Sequence, residues 1–156
     1  MIKLVPRTCV ALMLLAVPAF AGDSQTDDLK REIERHQGTW AVTSFVRDGK
    51  ESARDLVDSI VRIVKGDHVV WKRDGKSFAG TTVELDPSQT PKTIDVIPDG
   101  GRARGERVLG IYQLDADSLV ICMADAGKER PKSFEAPAGG KLTLIKFQRT
   151  ASGKRL

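Results

Sequence analysis

The 156 residues of this chain include 25 lysines and arginines and 21 acidic residues, for a formal net charge of +4 at pH 7. This length is typical of a single domain that buries its own core, and so small a net charge does not indicate a nucleic-acid-binding protein. One of the two cysteines, Cys9, lies in a predicted leader, so the mature chain keeps Cys122 and no intramolecular disulfide is expected. We predict that Cys122 is a small buried side chain.

The first 21 residues have the pattern of a secretory signal peptide. Lys3 and Arg7 form a basic start, residues 10–17 are apolar, and Ala19-Phe20-Ala21 is a small-x-small cleavage site. The apolar run is shorter than the roughly 20 residues that span a bilayer. We therefore predict cleavage after Ala21, export to the periplasm or the cell exterior, and a mature protein that is soluble and has no transmembrane segment.

Residues 22–37 are predicted to form a short N-terminal helical segment. Leu29 and Ile33 are four residues apart among polar neighbours, and Thr26 or Asp27 could cap the first turn. We expect this amphipathic helix to plug or flank the entrance of the domain that follows it.

Residues 38–150 are predicted to form one domain of about eight strands. Several β-branched segments are separated by tight-turn signals such as Asp48-Gly49 and Asp74-Gly75. The predicted strands cover residues 39–47, 60–64, 68–73, 77–85, 92–97, 106–114, 118–123 and 141–149. Sequential strands joined by hairpins indicate an all-β, up-and-down antiparallel barrel, with a β-sandwich of the same strands as the alternative. Leu56 and Val57 are predicted to form a helical turn over one end, and residues 151–156 a disordered tail.

The segment Gln37-Gly38-Thr39-Trp40 is predicted to organise this barrel. A glycine two residues before a tryptophan lets the backbone turn in closely while the large ring seals one end. A second tryptophan, Trp71, shares a strand face with Val69 and Arg73, and the alternation leaves open which face is interior.

Residues 124–140 form the longest predicted connection. They include three glycines, two prolines, the basic side chain of Arg130 and the aromatic ring of Phe134. Loops of this length are usually functional or disordered. We predict either a lid or contact surface at the open end of the barrel, with Phe134 as its apolar anchor, or a disordered spacer.

Several short motifs occur in the same order as in a known family of proteins. The segments concerned are Gln37-Gly38-Thr39-Trp40, Asp48-Gly49-Lys50, residues 91–95, 98–101 and 110–122, and Arg130-Pro131. Together they resemble a family of small, mostly exported, lipocalin-like proteins that is abundant in planctomycete bacteria and uncharacterised in function. The resemblance covers nearly all of residues 37–149.

Gly38-Thr39-Trp40 is also similar to the Gly-x-Trp signature of lipocalins, in which a basic side chain from the last strand covers the tryptophan. Arg149 or Lys146 could take that position here. The structural signature implied by this resemblance is therefore Gly38, Trp40 and Arg149. The family offers no established catalytic residues to carry over.

The sequence provides no recognisable catalytic, cofactor-binding or metal-binding motif. His36 and His68 lack a metal-ligand spacing and are interpreted as solvated or hydrogen-bonded histidines. A nucleophile would need a base within reach, and no motif links Ser44, Ser118 or Cys122 to either histidine. An enzyme is thus the minority hypothesis, and no cofactor is expected.

Two functions from different classes fit these observations. The first is a secreted or periplasmic lipocalin-like domain that binds a small apolar or amphipathic molecule, because barrels of about eight strands can hold one small ligand. Small residues at Gly80, Thr82 and Gly110 are consistent with room inside. The alternative is a protein–protein interaction module with a filled barrel, functional loops and a surface protein as partner. The candidate ligand or partner contacts are Trp71, Tyr112, Arg130 and Phe134.

Overall fold

The computed structural model describes residues 22–150, and the side chains from residue 24 onward. In chain order their elements are α1 (Gly22–His36), β1 (Gly38–Arg47), β2 (Lys50–Glu51), α2 (Arg54–Asp58), β3 (Ile60–Lys65), β4 (His68–Arg73), β5 (Lys76–Asp86), β6 (Thr93–Pro98), β7 (Val108–Leu114), β8 (Ser118–Ala124) and β9 (Leu142–Arg149). The predicted signal peptide, residues 1–21, and the predicted tail, residues 151–156, lie outside the described residues.

Eight of these strands form a closed antiparallel barrel. The first half of β1 pairs with β3, and from β3 to β9 each strand pairs with the next one in sequence. β9 then returns to β1, with Arg149 opposite Trp40 and Thr143 opposite Arg47. The two-residue β2 pairs only with the last two residues of β1. The prediction of a lipocalin-like, up-and-down barrel of about eight strands with a short N-terminal helix is confirmed, and the sandwich alternative is wrong.

Local sequence explains the tight turns. Asp48-Gly49 and Asp74-Gly75 both have positive φ at both residues, near 50° at the aspartates and near 76° at the glycines. This is the conformation that joins two right-twisted strands in a two-residue hairpin, and Asp-Gly favours it. A β-bulge lies between Val42 and Ser44 of β1, so the inward side chains change from the even-numbered Trp40 and Val42 to Phe45 and Arg47.

One end of the barrel is closed by Trp40, as α1 leads into β1. Trp40 is fully buried, and its indole Nε1 donates to the carbonyl of His36 at 3.0 Å. The Arg149 guanidinium lies 4.1 Å from the centre of the Trp40 ring and donates to the carbonyls of Arg35 and Gln37 at 2.6 and 2.8 Å. Of the two basic residues considered from sequence, Arg149 therefore makes the contact, and it also caps the Arg35 carbonyl in the last turn of α1.

The backbone of Gly38 permits this arrangement. Its φ is +108°, a backbone conformation that residues with a Cβ rarely adopt. A Cβ at this position would also lie 3.4 Å from the Arg149 guanidinium. α1 is further anchored by the buried carboxylate of Glu32, which pairs with Lys92 at 2.6 Å. The helix is thus fixed across the closed end.

Replacing Trp40 with alanine is expected to lower the free energy of unfolding by about 3–5 kcal/mol, since the buried ring and its hydrogen bond are lost. Trp71→Ala is the matched control, because Trp71 is only half-buried. Denaturant titrations should show a clearly smaller loss for that variant. A midpoint for Trp40→Ala equal to that of the unchanged protein would contradict the closing role of Trp40.

Candidate functional site

The interior of the barrel has two unequal halves. The closed half, next to α1, is packed with side chains: Trp40, Val42, Val64, Val69, Ile94, Tyr112, Leu114, Leu119 and Phe147. The open half contains a cavity of about 330 Å³. Its lining residues lie towards the strand ends farthest from α1, so the cavity opens opposite the helix. Pockets that bind small ligands span roughly 300–1,000 Å³, so this one lies at the small end of that range.

The walls of the cavity are predominantly apolar. Their apolar side chains are Phe45, Ile60, Trp71, Phe78, Val83, Val96, Val108, Ile121, Met123 and Ile145. Phe78 lies at the rim and is 59% exposed. A larger groove of about 410 Å³ lies outside the barrel beside α1, but exposed polar side chains such as Gln25, Asp28 and Ser88 line it in part. The interior cavity is therefore the better candidate site for an apolar molecule.

Two arginines line this cavity, one at its rim and one deeper in the barrel. Arg47, on the last residue of β1, donates to the Thr143 hydroxyl at 2.9 Å and pairs with the Asp125 carboxylate at 2.8 Å. Arg62 lies deeper, between Ile60 and Val64 on the inward face of β3, and is 1% exposed. The two therefore differ in their surroundings: the charge of Arg47 is compensated at the rim, whereas that of Arg62 is enclosed by the barrel.

Arg62 has no acidic partner among the described residues. Its Nη2 donates to His36 Nε2 at 2.7 Å, and its guanidinium lies 5.8 Å from the centre of the Phe147 ring. Its Nη1 has no hydrogen-bond partner within residues 22–150. Burial lowers the pKa of Arg62 to about 9, so the group stays protonated at neutral pH. A buried charge without a counter-charge is costly, which makes Arg62 the most unusual group in the interior.

His36 supports Arg62 as a neutral ring. Because a guanidinium can only donate, His36 Nε2 accepts and the ring proton lies on Nδ1. Burial, followed by the charges of Arg62 and Arg149, lowers the pKa of His36 to about 2. The ring also meets Tyr112 edge-on, with 6.1 Å between the ring centres. His36 can therefore orient Arg62 but cannot compensate its charge.

Of the four candidate contact residues, Trp71 lines the cavity, where its ring packs 5.9 Å from that of Phe147. Tyr112 does not line it, because it is buried in the closed half. Burial and the neighbouring Glu32 carboxylate raise the pKa of its hydroxyl. Tyr112 instead lines, together with Phe134, an outer groove of about 390 Å³ beside residues 87–92. Its role as a ligand or partner contact stays a prediction.

Arg130 and Phe134 lie on the outer wall rather than at the mouth. Arg130 pairs with Asp95 at 2.7 Å and donates to the Gly110 carbonyl at 2.6 Å. Phe134 lies beside residues 87–92, towards the closed end. No residue of the described segment 125–141 lines the cavity, so this segment does not form a lid over it. The alternatives of a contact surface and of a disordered spacer stay predictions. The segment instead packs against β6, β7 and β8 and against the Asp48-Gly49 turn, where the Gly49 N–H donates to the Ala136 carbonyl at 2.7 Å.

This packing accounts for Cys122. The thiol lies on the outer face of β8 under the segment and contacts the Glu135 carbonyl at 3.4 Å. Burial raises its pKa, so the thiolate that would react as a nucleophile is disfavoured. The sequence expectation of a small buried side chain agrees with this position.

The room inside the barrel does not come from the small residues singled out in the sequence. A Cβ on Gly80 would meet the Asp99 carboxylate at 2.5 Å, and one on Gly110 would meet the Cys122 carbonyl at 2.8 Å. Thr82 alternates with the inward-facing Val83 and so faces outward.

Comparisons with known proteins do not identify the chain: no family model, curated protein or solved structure matches it. The resemblance to an uncharacterised planctomycete family stays a prediction. Within residues 22–150, no group of three or more histidine, cysteine, aspartate or glutamate side chains is placed to hold a metal ion. The described helices include none that is long and apolar enough to cross a membrane.

The low pKa of His36 predicts a loss of stability in acid. The unfolded chain takes up a proton at His36 below about pH 6.5, whereas the folded protein does not until about pH 2. The free energy of unfolding should therefore fall by about 1.4 kcal/mol per pH unit from this group alone as the pH drops below 6. His36→Gln keeps a hydrogen-bond acceptor and removes the titration.

Urea titrations of both proteins at several values between about pH 6 and pH 4 measure this contribution. The stability of the unchanged protein should decline more steeply than that of His36→Gln, because carboxylate titrations are common to both. Parallel declines would contradict a neutral, buried His36.

Proposed function

We propose that this protein is an exported, lipocalin-like binding protein that holds a small apolar or amphipathic molecule in the open half of its barrel. The observation that supports the proposal is the cavity of about 330 Å³ with predominantly apolar walls. Closed barrels of eight strands have an interior just large enough for side chains or for one small ligand. In this barrel, side chains fill the closed half, and we propose that the open half holds one small ligand.

The walls also favour binding energetically. Burial of apolar surface contributes about 25 cal/mol per Å², and Phe45, Trp71 and Phe78 supply large aromatic surfaces. The strands that carry them are closed by β1–β9 pairing. A ligand would therefore enter a site that is largely formed in advance, which lowers the entropic cost of binding.

The alternative, a protein–protein interaction module, was expected to have a filled barrel and functional loops. The cavity argues against the first feature. In the segment 125–141, Arg130 is engaged by Asp95 and by backbone carbonyls and is therefore less available to a partner. Small-molecule binding is therefore the better-supported function.

Export is the part of the proposal that rests on sequence alone, on the basic, apolar and small-residue pattern of residues 1–21. Mass spectrometry of protein recovered from the periplasm or the medium should find Gly22 at the N-terminus. Exported protein that begins at Met1 would contradict cleavage.

Ligand binding can be tested with N-phenyl-1-naphthylamine, an uncharged probe whose fluorescence rises in apolar surroundings. Val96→Trp places a large ring in the cavity, and Val70→Trp places the same ring on the outer face of β4, where Val70 alternates with the buried Val69. The unchanged protein and Val70→Trp should bind the probe saturably, and Val96→Trp should bind it about tenfold more weakly or not at all.

Thermal unfolding of the three proteins shows whether each is folded. Equal binding by the Val96→Trp and Val70→Trp variants would place the probe outside the barrel. The absence of saturable binding by the unchanged protein would also contradict the proposal.

A further inference from the structure

We propose that the ligand of this cavity is a single-chain amphiphile with a carboxylate head group, and that the head group pairs with Arg62 while the apolar chain extends towards the mouth. The inference rests on the proposed binding function and specifies its ligand class. It follows from the charge, the burial and the partners of the two arginines that line the cavity.

The charge of Arg62 is uncompensated. None of the ion pairs among the described residues includes it, and its Nη1 has no hydrogen-bond partner there. Buried charges in proteins are normally paired. Nη1 is itself buried, so a carboxylate has to displace neighbouring side chains to reach it, and there it would supply both the counter-charge and the acceptor that Arg62 lacks.

Arg62 lies at the inner end of the cavity. It is the innermost cavity residue on β3, since Val64, the next inward side chain, belongs to the packed half. The guanidinium is held there by the hydrogen bond from Nη2 to His36 Nε2. His36 thus acts as a positioning residue, and it leaves the charge of Arg62 available because its own ring is neutral.

Arg47 is less available to an anion than Arg62. The rim arginine already pairs with Asp125 and donates to Thr143, so it offers an anion less than Arg62 does. No acidic side chain is among the described residues that line the cavity. Electrostatic attraction is stronger in apolar surroundings than in water, and the inner end of the cavity is therefore the favoured place for one negative charge.

The head group is expected to carry a single charge. Arg62 offers one positive charge, and a carboxylate neutralises it, whereas a phosphate monoester would bring a second charge into an apolar cavity without a partner. The opposite end of the cavity fits an apolar chain, because the exposed ring of Phe78 lies at the rim. The amphiphile would therefore bind with its head group inward.

The test compares three ligands of equal chain length on the full chain: decanoate, decan-1-ol and decylammonium, each measured by displacement of N-phenyl-1-naphthylamine at neutral pH. The unchanged protein should bind decanoate about tenfold or more tightly than decan-1-ol, with decylammonium weakest. Arg62→Met should lose the preference for decanoate and keep its affinity for decan-1-ol. Arg73→Met is the matched control, since Arg73 is exposed at the end of β4 and does not line the cavity, and it should keep the preference.

The outcomes separate this inference from the binding function. Equal affinities for decanoate and decan-1-ol in the unchanged protein would overturn the carboxylate inference and leave the binding function intact. Loss of the preference in Arg47→Met but not in Arg62→Met would overturn the assignment to Arg62. Failure of all three ligands and of the probe to bind would instead contradict the proposed function itself.

A second measurement does not depend on whether Arg62→Met folds. In the unchanged protein, the carboxyl carbon of bound [1-¹³C]decanoate should titrate by NMR at a lower pH than in water, because the guanidinium stabilises the ionised form. A carboxyl that titrates as in water, or at a higher pH, would contradict pairing with Arg62.

Discussion

The hydrogen bond between Arg62 and His36 joins the two halves of this barrel. It places a protonated guanidinium inside the closed wall of strands, 2.7 Å from a histidine that burial and nearby charge keep neutral. Below it the interior is packed, and above it lies a cavity of about 330 Å³. The bond therefore orients a buried positive charge at the base of an apolar cavity without neutralising it.

Contacts at the closed end hold His36 in this position. The indole of Trp40 donates a hydrogen bond to the carbonyl of His36, the last residue of α1. The Arg149 guanidinium covers the Trp40 ring and donates to the Arg35 carbonyl in the last turn of the helix. The ion pair between Glu32 and Lys92 fixes the same helix to the residue that precedes β6. The contacts among the Gly-x-Trp segment, the last strand and α1 therefore stabilise the fold. They also fix the position of His36, which orients Arg62 in the cavity.

Sequence reasoning predicted the barrel because its evidence is local: Asp-Gly hairpin turns, β-branched strands and a glycine before Trp40. It did not find Arg62, since both faces of residues 60–64 contain apolar residues, and Val61 and Ile63 form the more usual inward pair. The structure buries Ile60, Arg62 and Val64 instead. Sequence reasoning also did not predict that Arg130 lies on the outer wall of the barrel. Its ion pair with Asp95 joins residues that are distant in sequence, so no local pattern indicates it.

Binding of the head group by Arg62 can be observed in a crystal structure of the full chain with decanoate. We expect the carboxylate to lie within hydrogen-bonding distance of Arg62 Nη1 and the alkyl chain to pass Trp71 towards Phe78. A head group at the mouth beside Arg47, or a ligand bound outside the barrel, would contradict it.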